Sequence, residues 1–144
     1  PTGDVIRTAP LPSRDAVLSA IPSLTGVIPQ VPPEFSAKKV QGAPAYRAAR
    51  AGASVVLAPS PVTVYEWQIA SHTDDELNVS IICGGGTYVR ALARDLGRAC
   101  GSAAHLTSLR RTRSGEFDVI DAATIDDLRA SPKPTVRRLR VIAE

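Results

Sequence analysis

Apolar positions in this chain fall into short periodic stretches separated by turn-forming segments. Residues 1–12 are a turn-rich entry with four prolines or glycines. From Ser13 onward, Val17, Leu18 and Ile21 recur at helical spacing behind a serine suited to an N-cap, which predicts a short helix over 13–21. Residues 25–40 carry Pro29, Pro32 and Pro33, which forbid a helix and predict an extended, presented loop. A second short helix is predicted over 43–51, ending at Gly52.

Three strands follow in the pattern. Residues 61–69 are rich in β-branched and aromatic side chains, and in residues 76–82 Leu77, Val79 and Ile81 alternate onto one face. Asp74 and Asp75 lie between them and suit a hairpin turn, so these two strands are expected to be antiparallel. The third strand is predicted over 115–120. The strongest helix signal lies between the second and third strands. It follows Gly84-Gly85-Gly86, with Thr87 as N-cap, Val89, Leu92, Ala93, Leu96 and Ala99 on one face, and Arg90, Arg94 and Arg98 on another. Thr124, with Asp127 three residues on, marks another helix start. Beyond Ser131-Pro132 the tail is basic, carrying Arg137, Arg138 and Arg140 as a linker or final strand. Short strands with interspersed helices and no βαβ rhythm predict an α+β fold.

Composition changes this picture little. Apolar residues make up 44% of the chain, enough for a core, and aromatics only 4%, so that core must be mostly aliphatic. The 17 Lys+Arg exceed the 14 Asp+Glu by a net +3, and nearly all the basic residues are arginine, whose planar fork suits phosphate. The same surface would also serve as a merely solvated one. Cys83 and Cys100 are too few for a disulfide framework, which points to two reduced thiols in a cytoplasmic protein. Two histidines and no CxxC spacing argue against a zinc site. No apolar run reaches the length of a membrane span and no segment resembles a signal peptide. The chain opens on Pro1 and contains no Met, which fits either removal of an initiator Met or a chain cut from something longer.

The candidate chemistry is basic rather than nucleophilic. The glycine run before the strong helix invites a phosphate-loop reading, but no Gly-Lys-Ser/Thr follows and Val89 stands where G-x-G-x-x-G needs its last glycine. A tight strand-to-helix turn with positive φ accounts for it equally. Arg90, near the start of that helix, either belongs to the exposed arginine stripe or pairs with a carboxylate or phosphate. Asp95 is expected to pair with Arg94 or Arg98. Arg110, Arg111 and Arg113 are a candidate phosphate-contacting cluster. Lys38, Lys39, Arg47 and Arg50 form a second basic patch interleaved with Phe35 and Tyr46, a combination that suits RNA, where splayed bases stack on rings. His105 is isolated. No Ser/His/Asp set, paired-carboxylate motif or activated cysteine is present, so these residues alone describe an arginine-rich α+β domain that suits RNA and has no catalytic set.

Four ordered motifs carry a resemblance. Gln30-Val31-Pro32-Pro33-Glu34-Phe35-Ser36-Ala37-Lys38-Lys39, followed by Gly42 and Ala45-Tyr46, resembles the Q-x-P-P-x-[FY]-S-A-x-K stretch of TruB-type tRNA pseudouridine synthases. Pro59-Ser60-Pro61-Val62-Thr63-Val64 is similar to that family's R-P-V-x-V strand. Gly86-Thr87-Tyr88-Val89-Arg90 with Asp95-Leu96-Gly97 is similar to its K-G-T-Y-[IV]-R…D-L-G segment, with Gly85 where Lys or another polar residue is common, and Ala104-His105-Leu106 with Leu109-Arg110-Arg111-Thr112 to its A-H-L…L-R-R-T segment. The resemblance covers nearly the whole chain, in the family's order. It implies the second half of a catalytic domain with a mixed, mainly antiparallel sheet flanked by helices. The implied activity is isomerisation of uridine 55 in the tRNA T-arm to pseudouridine, without metal or organic cofactor. The uridine would be flipped out, attacked by an Asp carboxylate, detached, rotated and rejoined through carbon. On this resemblance Tyr88 would abut the flipped base and aid proton transfer, Arg90 would pair with the nucleophilic Asp, and Leu109 would line the base pocket. Lys39, Arg110 and Arg111, with Phe35, Tyr46 and His105, would hold RNA.

The departures are as informative. The family's G-T-L-D-P segment, which carries the nucleophile, does not occur in this sequence, nor does its upstream Tyr-bearing motif. Residues 1–131 are therefore expected to be the rear half of a catalytic domain, and 132–144 a basic tail or the start of a linker toward a C-terminal RNA-binding domain. By itself such a half is expected to be inactive and to need a complementary N-terminal half, because half a sheet leaves open edges and an uncovered apolar face. The alternative function is a non-catalytic RNA-binding or tRNA-chaperone module on the same fold. A third is an arginine-rich domain mediating protein contacts.

Overall fold

A computed structural model of the chain describes residues 5, 7–33, 39–40, 43–44, 57–73 and 75–130. They fall into two compact units, Pro1–Thr107 and Ser108–Glu144.

The first unit is built on a three-stranded antiparallel sheet in the order β1-β4-β5, with β1 spanning Gly26–Gln30, β4 Ser60–His72 and β5 Leu77–Cys83. A separate two-residue pair, β2 (Lys39–Val40) and β3 (Ala43–Pro44), is also antiparallel. Helix α1 spans Arg14–Ala20, continues as a 3-10 turn over Ile21–Leu24, and precedes β1; helix α2 spans Val89–Ala99. Ser13 caps α1 as expected, its hydroxyl accepting from the Ala16 N–H at 3.2 Å. Val17, Ala20 and Leu24 pack with Ile28 of β1, Val62 and Val64 of β4, and Leu92 and Leu96 of α2 in one aliphatic core. Trp67 lies partly buried against it and donates from Nε1 to the Leu24 carbonyl at 3.2 Å.

The long central strand changes its inward phase part-way. Val62 and Val64 face the core, then Trp67 and Ile69 do. The switch from even to odd positions falls at the register shift between Val64 and Glu66, where bulged Tyr65 has no partner on β5. A bulge inserts one extra residue and so inverts the side chains that follow, here as far as the second register shift between Ile69 and Ser71. On β5, Leu77, Val79 and Ile81 are the half-buried positions, as the alternation predicts. The opposite sheet face exposes Val27 (74%) and Ile82 (46%).

Several expectations are corrected. Residues 26–30 are a strand rather than a loop, because Pro29 sits on an edge strand, where a missing N–H costs no ladder bond. Ala43 and Pro44 lie in β3 rather than opening a helix; the rest of the helix predicted over 43–51 lies outside the described residues. Thr87 does not cap α2. Its hydroxyl bonds back to the Gly84 carbonyl at 2.9 Å, and Tyr88 takes the cap position without a side-chain cap of its own. The buried face of α2 is Ala91, Leu92, Leu96 and Gly97, so Ala93 and Ala99 are not its centre.

Helix α2 ends in a tight reversal. Ser102 N–H bonds the Gly97 carbonyl at 2.7 Å and Gly101 N–H bonds the Arg98 carbonyl at 3.0 Å, with Gly101 at φ 67°. This paired closure needs a residue in the left-handed region, which glycine adopts without strain. The returning chain passes so close that a Cβ on Gly97 would stand 2.6 Å from the Ala104 nitrogen and 2.8 Å from the Ala103 carbonyl carbon. Buried Ser102 then donates its hydroxyl to the Pro10 carbonyl at 2.6 Å.

In the second unit, β6 (Arg113–Ser114) and β7 (Phe117–Asp118) form a short hairpin, followed by a 3-10 turn over Val119–Asp121 and helix α3 over Ile125–Ala130. The strand predicted over 115–120 is thus reduced to two residues, because Gly115 at φ 58° is the first turn residue of the hairpin rather than a strand position. The predicted helix start is a reciprocal cap: Asp127 accepts from the Thr124 N–H and hydroxyl, and Thr124 Oγ1 accepts from the Asp127 N–H. The same hydrogen bonds hold the Asp127 carboxyl below its ordinary value.

Two outcomes follow from these contacts. Gly97→Ala forces backbone apart and is expected to destabilise the first unit by about 2 kcal/mol, read as a lowered Tm. Asp127 has a depressed pKa in the folded state, so its contribution is present above the unfolded value and is lost as pH falls below about 4. Protection factors of the amides at the start of α3, taken against intrinsic exchange at each pH, are therefore expected to fall on acidification, and less so in Asp127→Asn.

Candidate active site

The junction between β5 and α2 is held by hydrogen bonds from two strands. Gly84 N–H bonds the Thr63 carbonyl at 2.8 Å, ending the β4–β5 ladder, and Gly86 turns the chain at φ 82°. The glycine run is thus a tight turn with positive φ. It delivers Tyr88 to the start of α2, where the Tyr88 carbonyl accepts from Ala91 and Leu92 at 2.9 and 3.1 Å.

What fixes this junction comes from 58 residues away. Gln30, the last residue of β1, is 1% exposed, and both ends of its amide are spent on Tyr88. Oε1 accepts from the Tyr88 N–H at 2.8 Å, and Nε2 donates to the Tyr88 carbonyl at 3.2 Å. The side chain therefore satisfies one of the donors that a helix start leaves open, in place of a local cap. A second tie lies one residue and two turns further on. Arg94 donates to the Val31 carbonyl at 2.8 Å while its Nε and Nη2 grip the Asp95 carboxylate at 2.8 and 3.0 Å. Arg98 stands 3.8 Å from the same carboxylate. The expected pairing of Asp95 with its neighbouring arginines is present.

Beside the junction opens a cleft of about 250 Å³, lined by Gln30, Pro32, Ser60, Pro61, Val62, Gly85, Gly86 and Tyr88. Its walls are mostly prolyl, aliphatic and glycyl, with Gln30, Ser60 and Tyr88 as the polar residues. Tyr88 is half-buried at its edge and Arg90 is exposed on the first turn of α2. The structure thus brings Tyr88 and Arg90 to one junction. His105 lies exposed in the first unit. Leu109 (65% exposed), Arg110 and Arg111 belong to the second unit and are exposed there. Lys39 lies in β2, paired with Pro44. The Lys39 side chain, Phe35 and Tyr46 lie outside the described residues. Gln30, read in the sequence only as the first letter of a motif, is the site residue that sequence reasoning missed. A polar residue closing a Pro-bearing strand gives no local sign that it will be buried against a helix start.

Among the described residues, no cluster of three or more His, Cys, Asp or Glu is placed to hold a metal ion, and no helix is long and apolar enough to cross a membrane. Cys83 and Cys100 are free thiols, and burial raises the Cys100 thiol above its ordinary value while its Sγ donates to the Ala16 carbonyl at 3.7 Å.

Comparison with known sequences decides the family. The profile described as TruB family pseudouridylate synthase (N terminal domain) matches residues 1–89. This chain belongs to the TruB family. A second profile, tRNA pseudouridylate synthase B C-terminal domain, matches residues 90–140, so the two meet within the Tyr88–Arg90 junction. The TruB-family chain is 46% identical over 130 residues to tRNA pseudouridine synthase B of Rhodopseudomonas palustris, covering 89% of this chain and 36% of that protein. It is 44% identical over 138 residues to the Thermobifida fusca protein of the same name, covering 89% of this chain and 47% of the relative. The chain therefore spans less than half the length of these relatives. Among solved structures it is similar to a chain of a Cbf5-Nop10-Gar1 complex, with TM-score 0.63 and 27% identity over 88% of this chain and 31% of the other. An α+β fold of helices on an antiparallel sheet agrees with that likeness.

The Arg94–Asp95 tie yields a check on the junction. Asp95→Ala releases the guanidinium that holds the Val31 carbonyl. It is expected to lower stability by about 1 kcal/mol, measured by denaturant unfolding with an unchanged m-value.

Proposed function

We propose that this chain supplies the uridine-facing junction of a tRNA pseudouridine synthase acting on uridine 55 of the T-arm. The observation that carries the reading is the held junction at which Tyr88 borders a small cleft and Arg90 follows on the first helical turn, within the family's own motif. The cleft is below the roughly 300–1,000 Å³ of sites for drug-sized ligands, a size that suits one flipped base. Arg90 lies exposed on that turn, and in this reading it pairs with a carboxylate brought by another segment. In this reading an Asp outside this sequence attacks the sugar carbon as the bond to the base nitrogen breaks. The freed base turns, and its C5 displaces the carboxylate from the sugar carbon. The C5 proton is then removed while the freed nitrogen gains one, with Tyr88 abutting the base and helping to move the proton. Those steps call on a carboxylate and proton transfers, and on no metal or organic cofactor. On the family resemblance alone, Leu109 is read as a base-pocket residue. Lys39, Arg110 and Arg111 hold phosphates, aided by Phe35, Tyr46 and His105.

The complementary half that brings the nucleophile also has a surface to cover. Val27 and Ile82 are exposed on the sheet face opposite the core, and burying such side chains is favourable by roughly 1.5–3 kcal/mol each. The chain alone is inactive in this reading, since its sequence holds no counterpart of the nucleophile segment.

Tritium release from uridine-labelled, unmodified tRNA tests the proposal. No release is expected from the chain alone, and release is expected once it is complemented by the Asp-bearing upstream half of a full-length relative. In the complemented assembly, Tyr88→Phe is expected to lower kcat about a hundredfold with KM for tRNA little changed. Salt-sensitive tRNA binding without turnover after complementation would identify an RNA-binding module instead. Release by the chain alone would assign the nucleophile to one of its own aspartates.

A further inference from the structure

We propose that Gln30 is a positioning residue for the pseudouridine synthase reaction, setting the backbone of Tyr88 and thereby the placement of its ring and of Arg90; this rests on the reading of those two residues given above. The geometry is specific to an amide. Tyr88 offers one donor and one acceptor, and Gln30 meets them with one acceptor and one donor at 2.8 and 3.2 Å. Neither Glu, which when ionised has no donor, nor Asn, one methylene shorter, reproduces both bonds. Tyr88 has no cap of its own, and the glycine turn before it is intrinsically permissive. Its orientation is therefore imposed from β1. Gln30 is nearly inaccessible to solvent, so releasing either end leaves a buried polar group unpaired. The Tyr88 carbonyl also starts the α2 ladder, so the same two bonds aim the first turn that carries Arg90.

The effect is on placement rather than on RNA affinity, because the residues read as holding RNA lie elsewhere in the sequence. In the complemented assembly, Gln30→Ala is expected to lower kcat about ten- to a hundredfold while KM for tRNA stays within about threefold. Gln30→Glu gives a readout that bulk stability does not. Its ionised carboxylate still accepts from the Tyr88 N–H but opposes the carbonyl, whereas its protonated form restores both bonds. Burial raises the pKa of such a carboxyl, so turnover relative to the unsubstituted assembly rises as pH falls. The cleft residues around it hold one titratable side chain, Tyr88. The charged side chains nearest along α2 are Arg90 and Arg94, the latter paired with Asp95.

Amide exchange tests the clamp without turnover. The Tyr88 amide is expected to lose protection in Gln30→Ala, while Gly84, bonded to Thr63, keeps its own. An unchanged kcat, a loss expressed wholly in KM, a flat pH ratio for Gln30→Glu, or an unaltered Tyr88 amide would each overturn the proposal. If Gln30→Ala does not fold, the pH ratio decides. If the unsubstituted assembly is inactive, the functional reading fails, and Tyr88 exchange alone decides whether Gln30 positions it.

Discussion

A buried side-chain amide needs partners for both its ends, and Gln30 finds them only because a strand and a helix start, 58 residues apart, meet at one place. That requirement orders the rest of the first unit. The aliphatic core brings β1, β4 and α2 together, but apolar packing is non-directional and fixes no register. The amide does: it joins one residue of β1 to one peptide of the β5–α2 junction. The Arg94 tie to Val31 repeats the constraint further along the same helix, so a slip of α2 along β1 would break both. Helix entry at Tyr88 is thereby governed from a distant strand rather than by a local cap.

The consequence for function lies in what stays free. Both polar ends of Gln30 are occupied by backbone, and the glycine turn leaves space, so a cleft remains bounded by Tyr88 and by proline and aliphatic walls. Tyr88 borders that cleft, and Arg90 follows it on the first turn of α2. The same sheet presents Val27 and Ile82 exposed on the face opposite the core. Rigid junction and exposed face are compatible: one is finished by contacts within the chain, and the other is available to additional structure.

The sequence by itself determined the elements whose signal is local. The Ser13 and Thr124 caps, the antiparallel pairing of β4 with β5, the inward alternation of Leu77, Val79 and Ile81, the positive-φ glycine turn and the Arg94–Asp95 pair each depend on residues a few positions apart, and each is present. The family was legible because four motifs occur in order. Only the tertiary structure decided the rest. Pro29 reads as part of a presented loop until β1 is known to be an edge strand. The inversion at Tyr65 needs the partner strand that leaves it unpaired. Thr87 looks like a cap until its hydroxyl turns back to Gly84 and Gln30 takes over the Tyr88 N–H. In each case the deciding partner is remote or on another strand, and a backbone group's hydrogen bond is settled by whichever partner the folded chain brings within reach.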